Sequence, residues 1–555
     1  MQDGLELFQT GQVFGFPVDV NLVMRHLQQD MRDDWYADTL RYTDIFADQN
    51  YAAQVLLRCL NEWGGLYVGD KRVLRGIPKK AYAERYSLET DFFDRFVYQA
   101  VCTFLIPKLD PLLSHRVLSY RYNRDSLDPK YLFRSKIGKW LDYEGLTYRF
   151  RKEGSYLAVT DVGNFFENVS SKHLITEIRT LAQRSDCDGY EKGQILAATR
   201  MLEELLKNWS FSGEFGLPQN RDCSSFLSNI LLSSFDFEMQ EQGYDYYRYV
   251  DDIRIVCSSE SEARKAIQTS IGLLREVGMN INAQKTNVLS PTSSDADVQE
   301  LFPSQNPLVL AIDNMWRSKS RRVFIRSVEY IIQIIQTALT AGDTQSRSFR
   351  FAVNRLSQLI DAGLFDVAGE EADQLLTYAI SALGSDAVST DQLCRLLLVL
   401  QPSDVVLIEI QNFLTNRSAC IHDWQNHHLW ILLASTKFDS EILHELALKI
   451  VSADPTSGES SGVFIWLQSV GNLGPIDLLL ENYSNLWPFQ NQRYFLFAAS
   501  GLSADRQKIL RGKIPEKLLG TMKRARKKYR ADGVAIVERE RPSFSALYED
   551  IKDYS

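Results

Sequence analysis

An antiparallel sheet backed by helices, followed by a long all-α segment, is the α+β architecture that the sequence predicts. Three observations predict it. Residues 156–161, Tyr-Leu-Ala-Val-Thr-Asp, read as a buried strand ending in an acid. Residues 246–257 read as two short β-rich runs flanking Asp251-Asp252, hence a hairpin with acids at its tip. From about residue 315 onward the pattern is helical almost without interruption.

The elements follow in order. Between the strand and the hairpin, residues 194–208 and 223–240 have helical spacing. After it, residues 260–277 form a helical stretch that Gly278 ends. The order β-α-α-ββ-α suits an antiparallel sheet with helices behind it. Residues 290–307, rich in Ser, Asp and Pro, read as a polar linker. Helical runs then cover 323–339, 349–362, 368–383, 390–400, 404–414 and 440–451, separated by loops with Gly, Pro, Ser or Asp. Stacked antiparallel helix pairs are the natural reading, irregular because no sharp period is visible. Residues 523–530, Lys-Arg-Ala-Arg-Lys-Lys-Tyr-Arg, are a basic knot, and residues 531–555 read as a loosely ordered tail. The expected domains are 1–150, 151–300, 301–530 and that tail.

Composition bounds the class. The 555 residues suffice for two or three domains with a large core. An aromatic content of 11% is too high for a disordered chain. The net charge of −9 argues, taken whole, against a nucleic-acid binder. It is unevenly spread, however. Residues 71–160 hold 18 Lys+Arg against 10 Asp+Glu, so the remainder carries −17. Such a run reads either as a solvated face or as a phosphate-binding surface. No apolar run reaches the length of a membrane span, and Met1-Gln2-Asp3-Gly4 lacks the character of a signal peptide. The seven cysteines are scattered, odd in number and form no CxxC, which points to a reducing cytoplasm.

Three acids carry the chemistry: Asp161 at a strand end and the pair Asp251-Asp252 at a hairpin tip. Adjacent acids in a β-rich run repel each other and pack poorly. Neighbouring strand residues face opposite sides, so the pair converges only if the turn redirects it. Two divalent cations would offset the repulsion, and hard carboxylate oxygens select Mg²⁺ or Mn²⁺ over zinc. Such a site serves phosphoryl or nucleotidyl transfer.

The surrounding residues sharpen this. Tyr249-Val250-Asp251-Asp252 resembles the YxDD box of reverse transcriptases. Thr160-Asp161-Val162-Gly163-Asn164-Phe165-Phe166 resembles their motif A. Gly216-Leu217-Pro218-Gln219-Asn220 with Ser224-Ser225-Phe226-Leu227-Ser228-Asn229 resembles motif B, and Asn282-Ala283-Gln284-Lys285-Thr286 a later motif with its lysine. Asp94-Arg95, Gln99 and Ser119-Tyr120-Arg121 look like fingers motifs of bacterial reverse transcriptases. The resemblance covers roughly residues 30–300. It implies a right-hand polymerase with fingers and palm, an antiparallel palm sheet and DNA synthesis from dNTPs.

It also implies roles. Asp161 and Asp251 would hold two metals, with Asp252 and the Val162 carbonyl adding oxygens. Phe166 reads either as the ring under the incoming sugar, excluding a 2′-hydroxyl by clash, or as core. Gln219 would hydrogen-bond nucleotide or backbone. Lys285 reads as a proton donor to pyrophosphate or as a surface charge. Lys80 and Arg85 are the candidates for triphosphate contacts. Asn220 stands where glycine is usual; asparagine tolerates a positive φ better than other side chains do.

Among reverse transcriptases, the helical segment after residue 310 is similar to that of the bacterial abortive-infection or unknown-group family (AbiK-like). There an all-α, HEAT-like domain replaces the thumb. Asp33-Asp34-Trp35-Tyr36-Ala37-Asp38, with Tyr42 and Asp44, looks like that family's N-terminal region. The resemblance implies a cytoplasmic bacterial enzyme of anti-phage defence, homo-oligomeric and with no membrane contact. Its DNA starts from a protein tyrosine without a template, or is copied from an associated non-coding RNA. Tyr529, Tyr548 and Tyr554 are the tyrosines of longest reach. A scaffold protein with a vestigial polymerase fold is the alternative from another class. Cys420, His422, His427 and His428 match no standard zinc spacing, and Trp424, Trp430, Trp466 and Trp487 read as helical core.

Overall fold

Six strands form among the described residues: β1 (Val73–Pro78), β2 (Glu84–Glu89), β3 (Tyr156–Asp161), β4 (Asp245–Tyr249), β5 (Asp252–Cys257) and β6 (Asn287–Leu289). β1 and β2 pair with each other, and the other four make a sheet of order β4-β5-β3-β6. Its pairings are antiparallel throughout. β3 and β5 lie at its centre, and this explains their near-continuous apolar runs: both are buried along almost their whole length. The computed structural model describes residues 14–31, 34–40, 42–46, 67, 69, 72–79, 83–124, 131–211, 214–318 and 320–532.

Eleven helices precede residue 302 among the described residues. They are α1 (Val20–Asp30), α2 (Thr43–Phe46), α3 (Phe92–Leu109), α4 (Lys136–Glu153), α5 (Phe165–Asn168), α6 (Ser171–Arg184), α7 (Gly189–Trp209), α8 (Asp222–Leu231), α9 (Ser233–Glu241), α10 (Glu260–Glu276) and α11 (Asp295–Leu301). Their ends follow local chemistry. Asp188 and Glu191 close a capping box on α7, Ser259 caps α10, and Gly154 ends α4 at φ +70°. α4 packs on β3, β4 and β5, and α10 on β3, β5 and β6. One apolar layer joins Phe150 of α4 to Leu157, Val159, Val256 and Leu289 of the sheet.

The chain divides into two compact units. The sheet unit comprises Met1–Ala37, Gln49–Leu74 and Tyr86–Phe302; the helical unit comprises Asp38–Asp48, Arg75–Arg85 and Pro303–Ser555. The helical unit adds α12 (Pro307–Arg317), α13 (Arg321–Ala341), α14 (Arg347–Asp361), α15 (Glu370–Ser385), α16 (Thr390–Val399), α17 (Asp404–Thr415) and α18 (Asp423–Thr436). It ends with α19 (Glu441–Ala453), α20 (Gly458–Val470), α21 (Gly474–Leu479), α22 (Phe489–Ala498), α23 (Ala504–Lys513) and α24 (Leu519–Asp532). Helices pack on the next in sequence and on the next but one, as in α13 with α14 and α15, and α20 with α18, α19 and α22. One apolar core runs through them, and Trp424, Trp430, Trp466 and Trp487 are all buried in this unit. No helix of the described residues is long and apolar enough to cross a membrane.

Three features differ from the sequence reading. The polar stretch 290–307 is not a loop. Ser294 caps α11, and Val298 and Phe302 bury themselves in the layer under β3. Second, two N-terminal segments belong with the helical unit rather than with residues 1–150. Arg493, fully buried, explains one of them: it pairs with Asp38 and Asp44, lies over the Tyr42 ring, and Asp44 also accepts from Thr521. Arg75 explains the other, donating to the Thr456 carbonyl and to Asn491.

Third, among the described residues much of the basic run of residues 71–160 is paired with acids, some pairs buried and others at the surface. Arg95 is buried against Asp30 and Asp34, Arg121 and Arg124 meet Asp110, and Arg116 and Arg149 share Asp245. Lys108 pairs with Glu191, Lys136 with Asp222, Lys139 with Asp142 and Arg151 with Asp295. A local charge excess along the chain is therefore a poor measure of free surface charge, because many of its counter-charges, such as Asp30, Asp34, Glu191, Asp222, Asp245 and Asp295, come from elsewhere in sequence.

Candidate active site

The site is built on the adjoining ends of β3 and β5. The register sets Asp161 directly opposite Asp252. Directly opposed residues of an antiparallel pair share one face of the sheet, so these two carboxylates look the same way. The backbone continues the pairing beyond the strands. The Val162 N–H donates to the Asp251 carbonyl at 3.1 Å, and the Asn282 N–H donates to the Asp161 carbonyl at 2.7 Å. Residues 280–286 are thereby fastened alongside, with Thr160 and Thr286 joined through their hydroxyls at 2.8 Å. That places the Lys285 ammonium on the Asp161 carboxylate.

The turn between β4 and β5 holds the second acid. Val250 takes φ +58°, a left-handed conformation that a β-branched residue adopts only under constraint. The constraint is visible. The Val250 N–H donates to the Ser119 hydroxyl at 2.9 Å, and its carbonyl accepts from the Arg248 guanidinium at 2.8 Å. Arg248 is wholly buried and also donates to Asp236 and to Asn229, while Asn229 donates to the Ser119 carbonyl. The turn is thus clamped from both sides by one closed network. Sequence reasoning missed Arg248, Asp236, Asn229 and Ser119 as turn supports. The signals at hand were the placement of Ser119 and Asn229 in motifs and a charged Arg248 inside a β run beside the acids.

Charge crowds here. Burial, then the charges of Asp252 and Asp161, push the Asp251 carboxyl up to about 7. Partial burial opposes the charge of Lys285, but the hydrogen bond and charge of Asp161, with Asp252 and Asp251 beyond, hold it above the usual lysine value. The donor set fits hard divalent cations: it offers oxygen ligands only, and its negative charge exceeds what Lys285 offsets. Among the described residues no three His, Cys, Asp or Glu side chains are already gathered in an ion-holding arrangement.

Motifs A and B meet beside the acids. Phe165 is buried, whereas Phe166 is half-buried with its ring 5.5 Å from that of Phe165. The Phe166 carbonyl accepts from the Leu217 N–H, and Val169 from Gly216, which zips the two motifs together. Gly216 stands at φ +107° against the Phe211 ring, where a Cβ would clash. Gln219 is buried and donates to Glu167 at 3.2 Å. Asn220 takes φ +57°, the left-handed turn that glycine usually serves.

The remaining sequence candidates lie elsewhere. Arg85 is half-buried and groups with the helical unit, while Lys80 lies outside the described residues. Tyr548, Tyr554 and the side chain of Tyr529 also lie outside them. Asp94 and Gln99 are structural: Asp94 accepts from Tyr67, and Gln99 bonds Thr103 and Cys223. Cys420 bonds the Leu414 carbonyl, His422 meets Glu84 and His427 meets Ser461.

Residues 95–350 match the model of the family described as reverse transcriptase (RNA-dependent DNA polymerase). The chain carries a reverse transcriptase domain, the module of RNA-directed DNA polymerases. The Retron Ec86 reverse transcriptase of Escherichia coli is 31% identical over 81 residues, 14% of this chain and 25% of that protein. The match thus spans a quarter of that relative's length. Among solved structures, the chain is similar to a Candida tropicalis telomerase in complex with a fragment of telomeric RNA (TM-score 0.28, 13% identity, covering 63% of this chain and 68% of that one). It is also similar to the apo telomerase of that organism (TM-score 0.29, 10% identity, covering 80% and 69%).

Proposed function

We propose that this protein is a DNA polymerase of the reverse-transcriptase type, joining dNTPs by nucleotidyl transfer. The observation that carries this reading is the pairing of Asp161 with Asp252 across the sheet, with Asp251 on the clamped turn beside them, inside a reverse transcriptase domain. Asp161, Asp251, Asp252 and the Val162 carbonyl would hold two Mg²⁺ or Mn²⁺ ions, which activate an attacking hydroxyl and stabilise the leaving oxygen. Phe166 packs under the sugar and excludes a 2′-hydroxyl by bulk. Gln219, oriented by Glu167, positions the nucleotide. Lys285 offers a proton to the departing pyrophosphate from its Nζ.

The test is direct. Purified protein with Mg²⁺ and labelled dNTPs incorporates label, and Asp251→Asn lowers incorporation by at least about 10³-fold, an effect of the size expected for losing a group that acts in the transition state. Unchanged incorporation in that variant removes the assignment.

The finer reading is a defence enzyme of the abortive-infection, unknown-group type. A helical unit of stacked helices following the polymerase module supports it. In that reading the helical unit is HEAT-like and stands in place of a thumb, the enzyme is homo-oligomeric and bacterial, and DNA grows from a tyrosine, with Tyr529, Tyr548 and Tyr554 as candidates. DNA that stays attached to the protein after denaturation, mapped to one tyrosine, tests the priming. Loss of phage protection in Asp161→Ala/Asp252→Ala tests the defence role; retained protection favours a scaffold instead. A second reading, with an RNA template, is favoured by the match to a family described as RNA-dependent. A defined RNA complementary to the product, found with the purified protein, decides for it.

A further inference from the structure

We propose that the exposed cations of α23 and α24 form a sequence-independent binding surface for single-stranded nucleic acid. Residues 504–530 hold 11 Lys+Arg against 2 Asp+Glu, a far denser excess than that of residues 71–160. The two stretches also differ in what their cations do. Among the described residues, many of those of residues 72–151 are held in ion pairs with acids. Lys508, Arg511, Lys523, Arg524, Arg526 and Lys527 have no ion pair or side-chain hydrogen bond among the described residues, and all but the half-buried Arg526 are exposed.

Their placement on α24 is directional. Thr521, Met522 and Ala525 bury one side of the helix in the unit, where α24 packs on α22. Lys523, Arg524 and Lys527 stand on the solvent side, with Lys523 and Lys527 about 6 Å apart along the axis at 1.5 Å per residue. Unpaired cations at this spacing suit a phosphodiester backbone, whose affinity comes from releasing condensed counterions. The outer side of α24 shows no exposed large apolar residue among the described positions, and on α23 only Ile509 is exposed, a single residue rather than the apolar face of a membrane-surface helix. A short row of cations on an otherwise acidic chain grips one strand rather than a long duplex.

That the strand is the product or template of synthesis rests on the proposed function; the binding itself does not, and it is measured without dNTPs or metal. The probe is a labelled oligothymidylate of about 20 nucleotides, titrated with the full-length protein over a range of salt. Lys523→Gln/Arg524→Gln/Lys527→Gln is expected to weaken binding at least about 10-fold at low salt and to flatten the log–log salt slope by about 2. Lys508→Gln/Arg511→Gln is expected to weaken it independently. Arg179→Gln/Lys207→Gln/Arg264→Gln, which removes three exposed cations already paired with glutamates, is expected to leave it unchanged. Equal losses in both triple variants, no loss in the first, or tighter binding to phosphatidylserine vesicles than to the oligonucleotide overturns the proposal. An unchanged thermal melt shows that a loss is not unfolding. A protein that binds the strand yet fails to polymerise leaves this surface standing and removes the polymerase reading.

Discussion

Phe165 and Phe166 are chemically the same and adjacent, yet the fold uses them differently. Phe165 is core, and Phe166 is half-buried beside motif B. The proposed sugar contact of Phe166 rests on this difference. Phe166→Ala is expected to raise rNTP incorporation at least about 10-fold relative to dNTP, because discrimination by clash disappears with the bulk. Single-nucleotide kinetics with both sugars check this, and unchanged rejection of rNTPs returns Phe166 to a packing role. Arg248 carries a second prediction. Arg248→Met strands the buried Asp236 carboxylate and is expected to cost about 3–5 kcal/mol of stability in urea unfolding. Arg248→Met/Asp236→Leu is expected to cost less, since no charge is then left alone; a double variant no better than the single one contradicts that account.

At the scale of elements, α18 and α20 meet through buried polar groups. His427 bonds the Ser461 hydroxyl at 2.8 Å, and burial, followed by the charges of His428 and Arg75, holds its pKa well below the ordinary histidine value. The imidazole is neutral in the fold. In the unfolded chain it takes a proton near pH 6.5, so stability is full above that pH and falls as pH drops below it, by up to about 2 kcal/mol at about pH 5. The carboxylate of Asp44 behaves otherwise. Although burial opposes its charge, Arg493 holds its pKa below the usual value, so its contribution persists until pH falls below about 4. Urea unfolding between pH 7 and about 5 separates them: His427→Gln is expected to flatten the upper window. An unaltered pH profile in that variant assigns the loss to other groups.

For the whole molecule, the division into units is not a division of the chain. Residues 38–48 and 75–85 precede the sheet, yet they complete the helical unit. A fragment of residues 303–555 lacks Asp38 and Asp44, so Arg493 is left buried without its partners. Such a fragment is expected to be about 3–5 kcal/mol less stable than one supplied with a peptide of residues 38–48. Thermal melts with and without the peptide check it; an indifferent melting temperature means the ion pairs are dispensable. The net charge of −9 takes on a different meaning at this scale. It does not exclude nucleic acid, because the C-terminal helices present exposed cations such as Lys508, Arg511, Lys523, Arg524 and Lys527, even though Arg506 and Lys513 beside them are paired with Asp477 and Glu481.

The acids, their strand and hairpin, and the helical character after residue 315 were legible because they are local. Strand burial, turn chemistry and helical spacing are written in runs of neighbouring residues. Motif order marked the candidate site in the same way, and Asn220 at a positive φ follows from asparagine's own conformational reach. The rest was decided by contacts distant in sequence. That Asp161 faces Asp252 depends on the register of two strands about ninety residues apart. That Val250 can sit at φ +58° depends on Ser119, Asn229 and Asp236, and although motifs mark Ser119 and Asn229, no local pattern joins them to this turn. The polar stretch 290–307 became structured because Val298 and Phe302 found an apolar layer to enter. Charge was the least legible property: a sequence counts cations, but only the tertiary structure, by bringing distant acids to them, decides which remain free to meet a phosphate.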